Sequence, residues 1–332
     1  MSKTRVMVAG FGNVGRGVLA SLNNNPDMEL AGIVSRSPER VKKSRPDLNV
    51  LNIADTDRWL KEFRPDVAIL CGGSKDDLPA QGPKMCQLVN TVDSFDNHSR
   101  IPEYFSAMDQ AANKAGHVSV ISTGWDPGIF SLERVLGGAF IPGTRAYGFY
   151  GLGPKGGLSM GHSDALRTIP GVKDARQFTH AVPAAVERVR KGENPAFEPG
   201  DMHTRECFVV LEPGADKVAI TKTIMEMPGY FAPYDTVVNF VSQEELDSQY
   251  KGFPHDGLVI TSGTTGNGNG ALAEYRCVWG SNPEATGNVL VAHARAAARL
   301  AKEGRKGAFT ILDIPPAYFT ALDKAELLKH WM

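Results

Sequence analysis

Residues 5–16, RVMVAGFGNVGR, constrain the fold most, because they read economically only as a buried strand, a glycine turn and the start of a helix. Val6, Met7, Val8 and Ala9 form an apolar run too short for a helix and suited to a parallel strand covered on both faces. Gly10, Gly12 and Gly15 follow as G-x-G-x-x-G. The first glycine permits a tight turn, the second lets a pyrophosphate approach the backbone, and the third lets helix and strand lie close. Asn13 and Val14 open the helix, whose N-terminus attracts an anion. Val14, Val18, Leu19 and Leu22 recur at helical spacing behind the turn. The stretch therefore predicts a dinucleotide site at Gly10, Gly12, Asn13, Val14 and Gly15.

The strand at 28–34 selects the dinucleotide. An acidic residue at its end would accept hydrogen bonds from a ribose 2′-hydroxyl. Ser35-Arg36-Ser37 stands there instead, offering a guanidinium for a 2′-phosphate and two hydroxyl donors. NADP is expected rather than NAD. A further buried strand at 67–71 ends in Gly72-Gly73-Ser74, which either flanks the ribose and phosphate or is plain loop. Thr56 is expected to cap a helix carrying Trp59, Leu60 and Phe63.

Strands at 91–95 and 118–122 and helices at 78–89 and 101–115 continue the alternation, which implies a parallel sheet. Beyond about residue 140 the pattern changes to strands at 145–150, 175–179, 205–211, 236–241, 258–261 and 275–279, with helices at 182–190 and 217–225. The fold class is α/β: a Rossmann-type parallel-sheet domain plus a second, α+β open-sheet domain for substrate and dimerisation. Residues 1–124 form the first domain and 125–282 the second, and a helix at 286–302 returns the chain so that 283–332 completes the first. Glycine-rich loops at 151–157 and 263–270 are expected to be mobile.

The 36 basic and 37 acidic residues nearly cancel, so no domain-wide field favours nucleic acid or an anionic membrane. Cys71, Cys86, Cys207 and Cys277 are dispersed and form no C-x-x-C, which reads as core thiols in a reducing cytoplasm. No membrane span, signal peptide or metal site is expected.

Two polar loops follow neighbouring strands at the carboxyl edge of the first sheet, residues 93–98 (DSFDNH) and 123–128 (TGWDPG). Asp96 and Asp126 there suit a cationic substrate group. Asp96 is also placed to cap the helix near Ile101, and Asp126 to cap one starting at Pro127.

The strings VDSFDNH (92–98), STGWDPG (122–128), GHSDALRTIPGV (161–172), TRECFVV (204–210) and MPGYF (227–231) resemble the meso-diaminopimelate D-dehydrogenase family over nearly the whole chain. The resemblance implies NADP-dependent oxidative deamination of meso-diaminopimelate at its D-centre, in the cytoplasm, by a homodimer whose interface is the second sheet. It places Asp96, Trp125 and Asp126 at the reacting amino centre, with either carboxylate as the catalytic group, and Tyr150, Met160 and Gly161 along the pocket. Thr179, Arg205, His255 and Asn282 match positions that hold the distal L-amino-acid end, and His162 is a candidate for activating the hydrolytic water. Read from residue type alone, His255 is a loop histidine and Arg205 a strand-end surface charge. A reductase of the homoserine or dihydrodipicolinate type, or a non-enzymatic NADP sensor, are the alternatives.

Overall fold

The computed structural model describes residues 3–332. Its first strands are β1 (Thr4–Ala9), β2 (Met28–Ser35), β3 (Val50–Asn52), β4 (Val67–Leu70), β5 (Asn90–Asp93) and β6 (Val118–Val120). Then come β7 (Ala146–Tyr150), β8 (Gly157–Ser159), β9 (Val172–Ala181), β10 (His203–Leu211) and β11 (Thr236–Phe240). β12 (His255–Thr264), β13 (Gly270–Trp279) and β14 (Gly307–Phe309) complete the set. The chain divides into two compact units, one running to Leu132 and resuming at Pro283, the other Glu133–Asn282. The first division falls inside the helix Ile129–Phe140, beyond the boundary at 124 drawn from the sequence.

The first unit is built on a seven-stranded sheet in the order β14-β6-β5-β4-β1-β2-β3, parallel at every pairing. Alternation along β1 sends Val6 and Val8 to one face and Met7 and Ala9 to the other. Val6 and Val8 pack with Val18 and Leu22 of the helix Asn13–Leu22 and with Leu290, Val291, Ala294 and Ala297 of the long helix Asn282–Lys302. Met7 and Ala9 meet Trp59, Phe63, Leu78, Tyr104 and Met108 from the opposite layer. Both faces of the sheet are thus covered, which is why its strands read as unbroken apolar runs.

Glycine sets the approach of the two helices on the first face. A Cβ on Gly287 would overlap the backbone of Gly17, and one on Gly17 would overlap the carbonyl of Pro283. The helix Ile101–Ala115 ends on Gly116 in the left-handed region, which glycine adopts without strain. Thr56 is the first helical residue rather than the cap; Asp55 occupies that position without a side-chain bond.

The second unit contains two sheets where the sequence pattern suggests one. The larger runs β11-β10-β9-β8 and the smaller β13-β12-β7. The chain leaves the small sheet at Tyr150 and enters the large one at Gly157, so the glycine loop between them is the crossing point. That loop is anchored rather than free: Asp256 accepts from the backbone N–H of Gly151 through its carbonyl (3.1 Å) and from Leu152 and Gly153 through its carboxylate (2.9 and 3.0 Å). The other glycine-rich stretch is likewise not a long loop. Residues 263–264 and 270 pair in the β12–β13 hairpin, leaving a turn closed by a Thr265–Asn269 backbone bond of 2.9 Å.

Candidate active site

The glycine turn has the geometry its spacing predicts. Gly10 sits at φ +98°, open to glycine and strained for other residues. A Cβ on Gly15 would overlap the carbonyl oxygen of Gly10, so the helix lies against the turn. Around Gly12 nothing stands within 4 Å of the Cβ position, and no side chain caps the helix Asn13–Leu22. Free backbone N–H groups at the helix start and open space above them fit a pyrophosphate.

Ser35, Arg36 and Ser37 lie at the end of β2 as expected, but Arg36 is not a solitary cation. Its guanidinium pairs with Asp77 at 2.9 and 3.4 Å. Asp77 also accepts from the backbone N–H of Gly73 at 3.2 Å, so it links the loop after β2 to the turn after β4. Ser74 faces the other way, its hydroxyl accepting from the Asp96 backbone at 3.1 Å. Gly72-Gly73-Ser74 is therefore bonded on one side to the Arg36 partner and on the other to the first acidic loop.

The two acidic loops follow adjacent, paired strands, β5 and β6. Asp93 fastens them together. Its Oδ1 accepts from Phe95 N (3.0 Å) and Ser122 N (3.1 Å), its Oδ2 from the Tyr104 hydroxyl (2.8 Å), and its carbonyl from Thr123 N (2.9 Å) and Thr123 Oγ1 (3.0 Å). Asp93 is fully buried, and burial pushes its carboxyl up to about 6 against those hydrogen bonds. Asp96 is exposed and Asp126 half-buried. Asn97, not Asp96, precedes the 3-10 turn at His98, and the helix after Asp126 begins at Ile129 rather than at Pro127. Trp125 is buried edge-on against Phe130 with ring centres 5.3 Å apart, and the stretch is cross-tied by Gly124 N to Pro127 O at 2.7 Å.

In the second unit the sheet register gathers the residues matched to the distal amino-acid end. Thr179 on β9 pairs with Arg205 on β10 and with Gly157 on β8. His255 lies so close to Gly157 that a Cβ there would strike its ring. Thr179, Arg205 and His255 are all buried, which corrects the surface readings of Arg205 and His255 drawn from residue type. Arg205 donates to Thr179 Oγ1 at 2.6 Å and lies over the Tyr234 ring at 3.9 Å. Its Nε has no partner, and among the described residues no carboxylate pairs with it. Burial lowers its pKa and also lowers that of His255, with Arg205 nearby. Asn282 is buried at the start of the long helix, its backbone donating to Phe253 O at 2.7 Å.

The Tyr150 hydroxyl accepts from Arg134 at 2.9 Å and its ring stacks on His203 at 5.2 Å. Met160 packs partly against the Leu158–Phe178 cluster, and Gly161 is exposed with open space around it. His162 is not a free base. Burial pushes it down to about 3, its Nδ1 lies 2.8 Å from Ser159 Oγ, and a Tyr230 backbone contact opposes the shift.

Asp77, Asp93, Tyr104, Gln177, His203 and Tyr234 are partners of the candidate site residues that the sequence does not announce. Gln177 carries the one available signal, an amide two residues before Thr179 and hence on the same strand face.

The chain is similar to known proteins over its full length. Residues 124–281 match a family model described as the diaminopimelic acid dehydrogenase C-terminal domain, and residues 4–89 match the NAD-binding Rossmann fold of an oxidoreductase family. A meso-diaminopimelate D-dehydrogenase of Ureibacillus thermosphaericus is 49% identical over 330 residues, covering 99% of each chain. That of Corynebacterium glutamicum is 42% identical over 316 residues, covering 95% of each. Among solved structures, the C. glutamicum DAP dehydrogenase in complex with DAP superposes with a TM-score of 0.93 at 40% identity, covering 100% of both chains. An engineered D-amino acid dehydrogenase bound to NADP+ gives 0.89 at 38% identity, again covering 100% of both.

Proposed function

Because the chain belongs to the meso-diaminopimelate D-dehydrogenase family, we propose that it catalyses the reversible NADP-dependent oxidative deamination of meso-2,6-diaminopimelate at the D-centre. The products are L-2-amino-6-oxopimelate, which cyclises to tetrahydrodipicolinate, and ammonia, and the setting is lysine biosynthesis in the cytoplasm. The observation that carries the reading is Arg205. A buried guanidinium without a carboxylate partner is costly, and an anionic ligand group removes that cost. Thr179, His255 and Asn282 supply further hydrogen bonds to the distal amino-acid end, and Tyr150, Met160 and Gly161 line the substrate.

At the D-centre, Asp96 and Asp126 accept from the ammonium, with Trp125 beside them. A nicotinamide cofactor held by the glycine turn would supply the acceptor for the α-carbon hydride. The protein must keep the amine neutral as the hydride departs, and one of the two carboxylates, directly or through water, takes that proton. Water then adds to the imine carbon and ammonia leaves. Gly10, Gly12, Asn13, Val14 and Gly15 hold the pyrophosphate, Ser35, Arg36 and Ser37 the 2′-phosphate, and Gly72, Gly73 and Ser74 flank the ribose. The NADP+ complex of the engineered relative supports this choice of cofactor. Purified protein supplied with NADP and meso-diaminopimelate is expected to release NADPH and ammonia together; the absence of both would overturn the reading.

A homodimer completes the proposal. Leu272 and Val278 are exposed on the edge strand β13, and Val135 and Phe140 on the helix Ile129–Phe140, leaving apolar surface that a second copy would cover. A monomeric mass in solution at micromolar concentration would count against it.

A further inference from the structure

We propose that Asp93 is a positioning residue for the reaction, its ionised carboxylate fixing the loop that carries Asp96 relative to the loop that carries Asp126. This rests on the assignment of Asp96 and Asp126 to the reacting amino centre. The bonds run to both loops at once: Phe95 N belongs to the first, Ser122 N and Thr123 to the second. Ser122 adopts φ +55°, a conformation uncommon for a residue other than glycine, and in it its N–H meets the Asp93 carboxylate. A strained backbone of this kind persists only where its surroundings hold it, and Asp93 is the group that does so here.

The charge on Asp93 has no cation to balance it among the described residues. Neutral donors alone stabilise it, two backbone N–H groups and the Tyr104 hydroxyl. The titratable groups facing it are Tyr104 and the Cys86 thiol. An ionised carboxylate accepts at both oxygens, whereas a protonated one spends a lone pair on its own hydrogen and accepts more weakly. Loss of the charge therefore loosens both loops together. A misplacement of an ångström at the reacting centre can cost roughly 100-fold in rate.

The test compares Asp93→Asn and Tyr104→Phe with the unaltered enzyme in kcat, KM for each ligand and melting temperature, across the acid limb of the pH profile. Asp93→Asn is expected to lower kcat by roughly 100-fold while the KM for the nicotinamide cofactor stays unchanged. Tyr104→Phe removes a hydrogen bond that favours the ionised form, so the acid limb of kcat should move to higher pH. Full kcat in Asp93→Asn, or a lower melting temperature in Tyr104→Phe with an unmoved acid limb, would overturn the proposal. Should the asparagine variant not fold, the tyrosine variant decides. Asp96→Asn and Asp126→Asn serve as controls: full activity in both sinks the assignment of the acidic pair, whereas their loss beside an unaffected Asp93→Asn sinks the positioning role alone.

Discussion

Arg205 and Gln177 both donate to one oxygen, the hydroxyl of Thr179, at 2.6 and 3.3 Å. A threonine hydroxyl has two acceptor sites and one proton. With both acceptor sites taken, the hydroxyl proton is left to donate, and under the proposed distal assignment Thr179 would offer it to the anion that Arg205 would attract. Arg205→Ala should raise the KM for meso-diaminopimelate by at least about 30-fold, the equivalent of about 2 kcal/mol or more for a buried charge partner, and leave the cofactor KM unchanged. Thr179→Val, which keeps the shape but not the proton, should raise the same KM, and Thr179→Ser should restore it. Steady-state kinetics at saturating cofactor check all three; an equal loss for both ligands in Arg205→Ala would refute the distal assignment.

The Arg36–Asp77 pair sets a second expectation. A 2′-phosphate on Arg36 meets the neighbouring carboxylate as well as the guanidinium, so Asp77 both steadies Arg36 and opposes the phosphate. Arg36→Ala should lower the preference for NADP over NAD. Asp77→Asn should raise it by about two- to fivefold, the scale of an exposed ion pair. The ratio of the two cofactors' KM values reads this directly, and a ratio unmoved in both variants would remove the 2′-phosphate from this loop.

What was legible in the chain is what depends on neighbours in sequence. Gly10, Gly12 and Gly15 announce a turn because each has a local steric duty, and the apolar strands announce a covered sheet because both faces are buried. The two acidic loops were legible as polar clusters at strand ends. Asp93 inside the first was not, because its partners Tyr104 and Ser122 come from other elements and a buried aspartate looks like any other aspartate in a string. Asp77 is hidden in the same way, 41 positions from Arg36. Arg205 and His255 were legible only through a family resemblance, since burial is a property of the register that sets Thr179 against Arg205 and Gly157. The split of the second unit into two sheets escaped because a strand's pairing partner is not written in its own residues.

Packing on the first unit supplies a stability prediction. Gly17 and Gly287 let the helices Asn13–Leu22 and Asn282–Lys302 touch backbone to backbone, with no flexible side chain there to yield. Gly287→Ala should therefore destabilise the fold by about 1 to 3 kcal/mol despite alanine's better helix propensity. Urea unfolding measures this, and an unchanged or raised midpoint would show that the crossing relaxes.

Acid should destabilise the protein well before its ordinary carboxylates titrate. Burial pushes His162 and His203 down to about 3 and His293 down to about 4, from an ordinary value of 6.5. Between 6.5 and those values the unfolded chain binds protons that the folded chain does not, so stability is lost as pH falls through that window. Each histidine contributes a slope approaching about 1.4 kcal/mol per pH unit there. Asp93 works in the opposite sense. Its folded value of about 6 lies above the ordinary 3.8, so its contribution is lost as pH rises between the two, and one such group against these three histidines and His255, whose pKa burial also lowers, leaves the net slope positive. His293 offers the cleanest test, since it is buried at 2% exposure, its Nδ1 meets the Val289 carbonyl at 2.8 Å within the same helix, and its Nε2 has no partner. His293→Leu should flatten the dependence of unfolding free energy on pH by about one proton's slope below 6.5. Chemical denaturation at a series of pH values measures that slope, and a variant as acid-sensitive as the parent would show that His293 is not among the groups that take up a proton on unfolding.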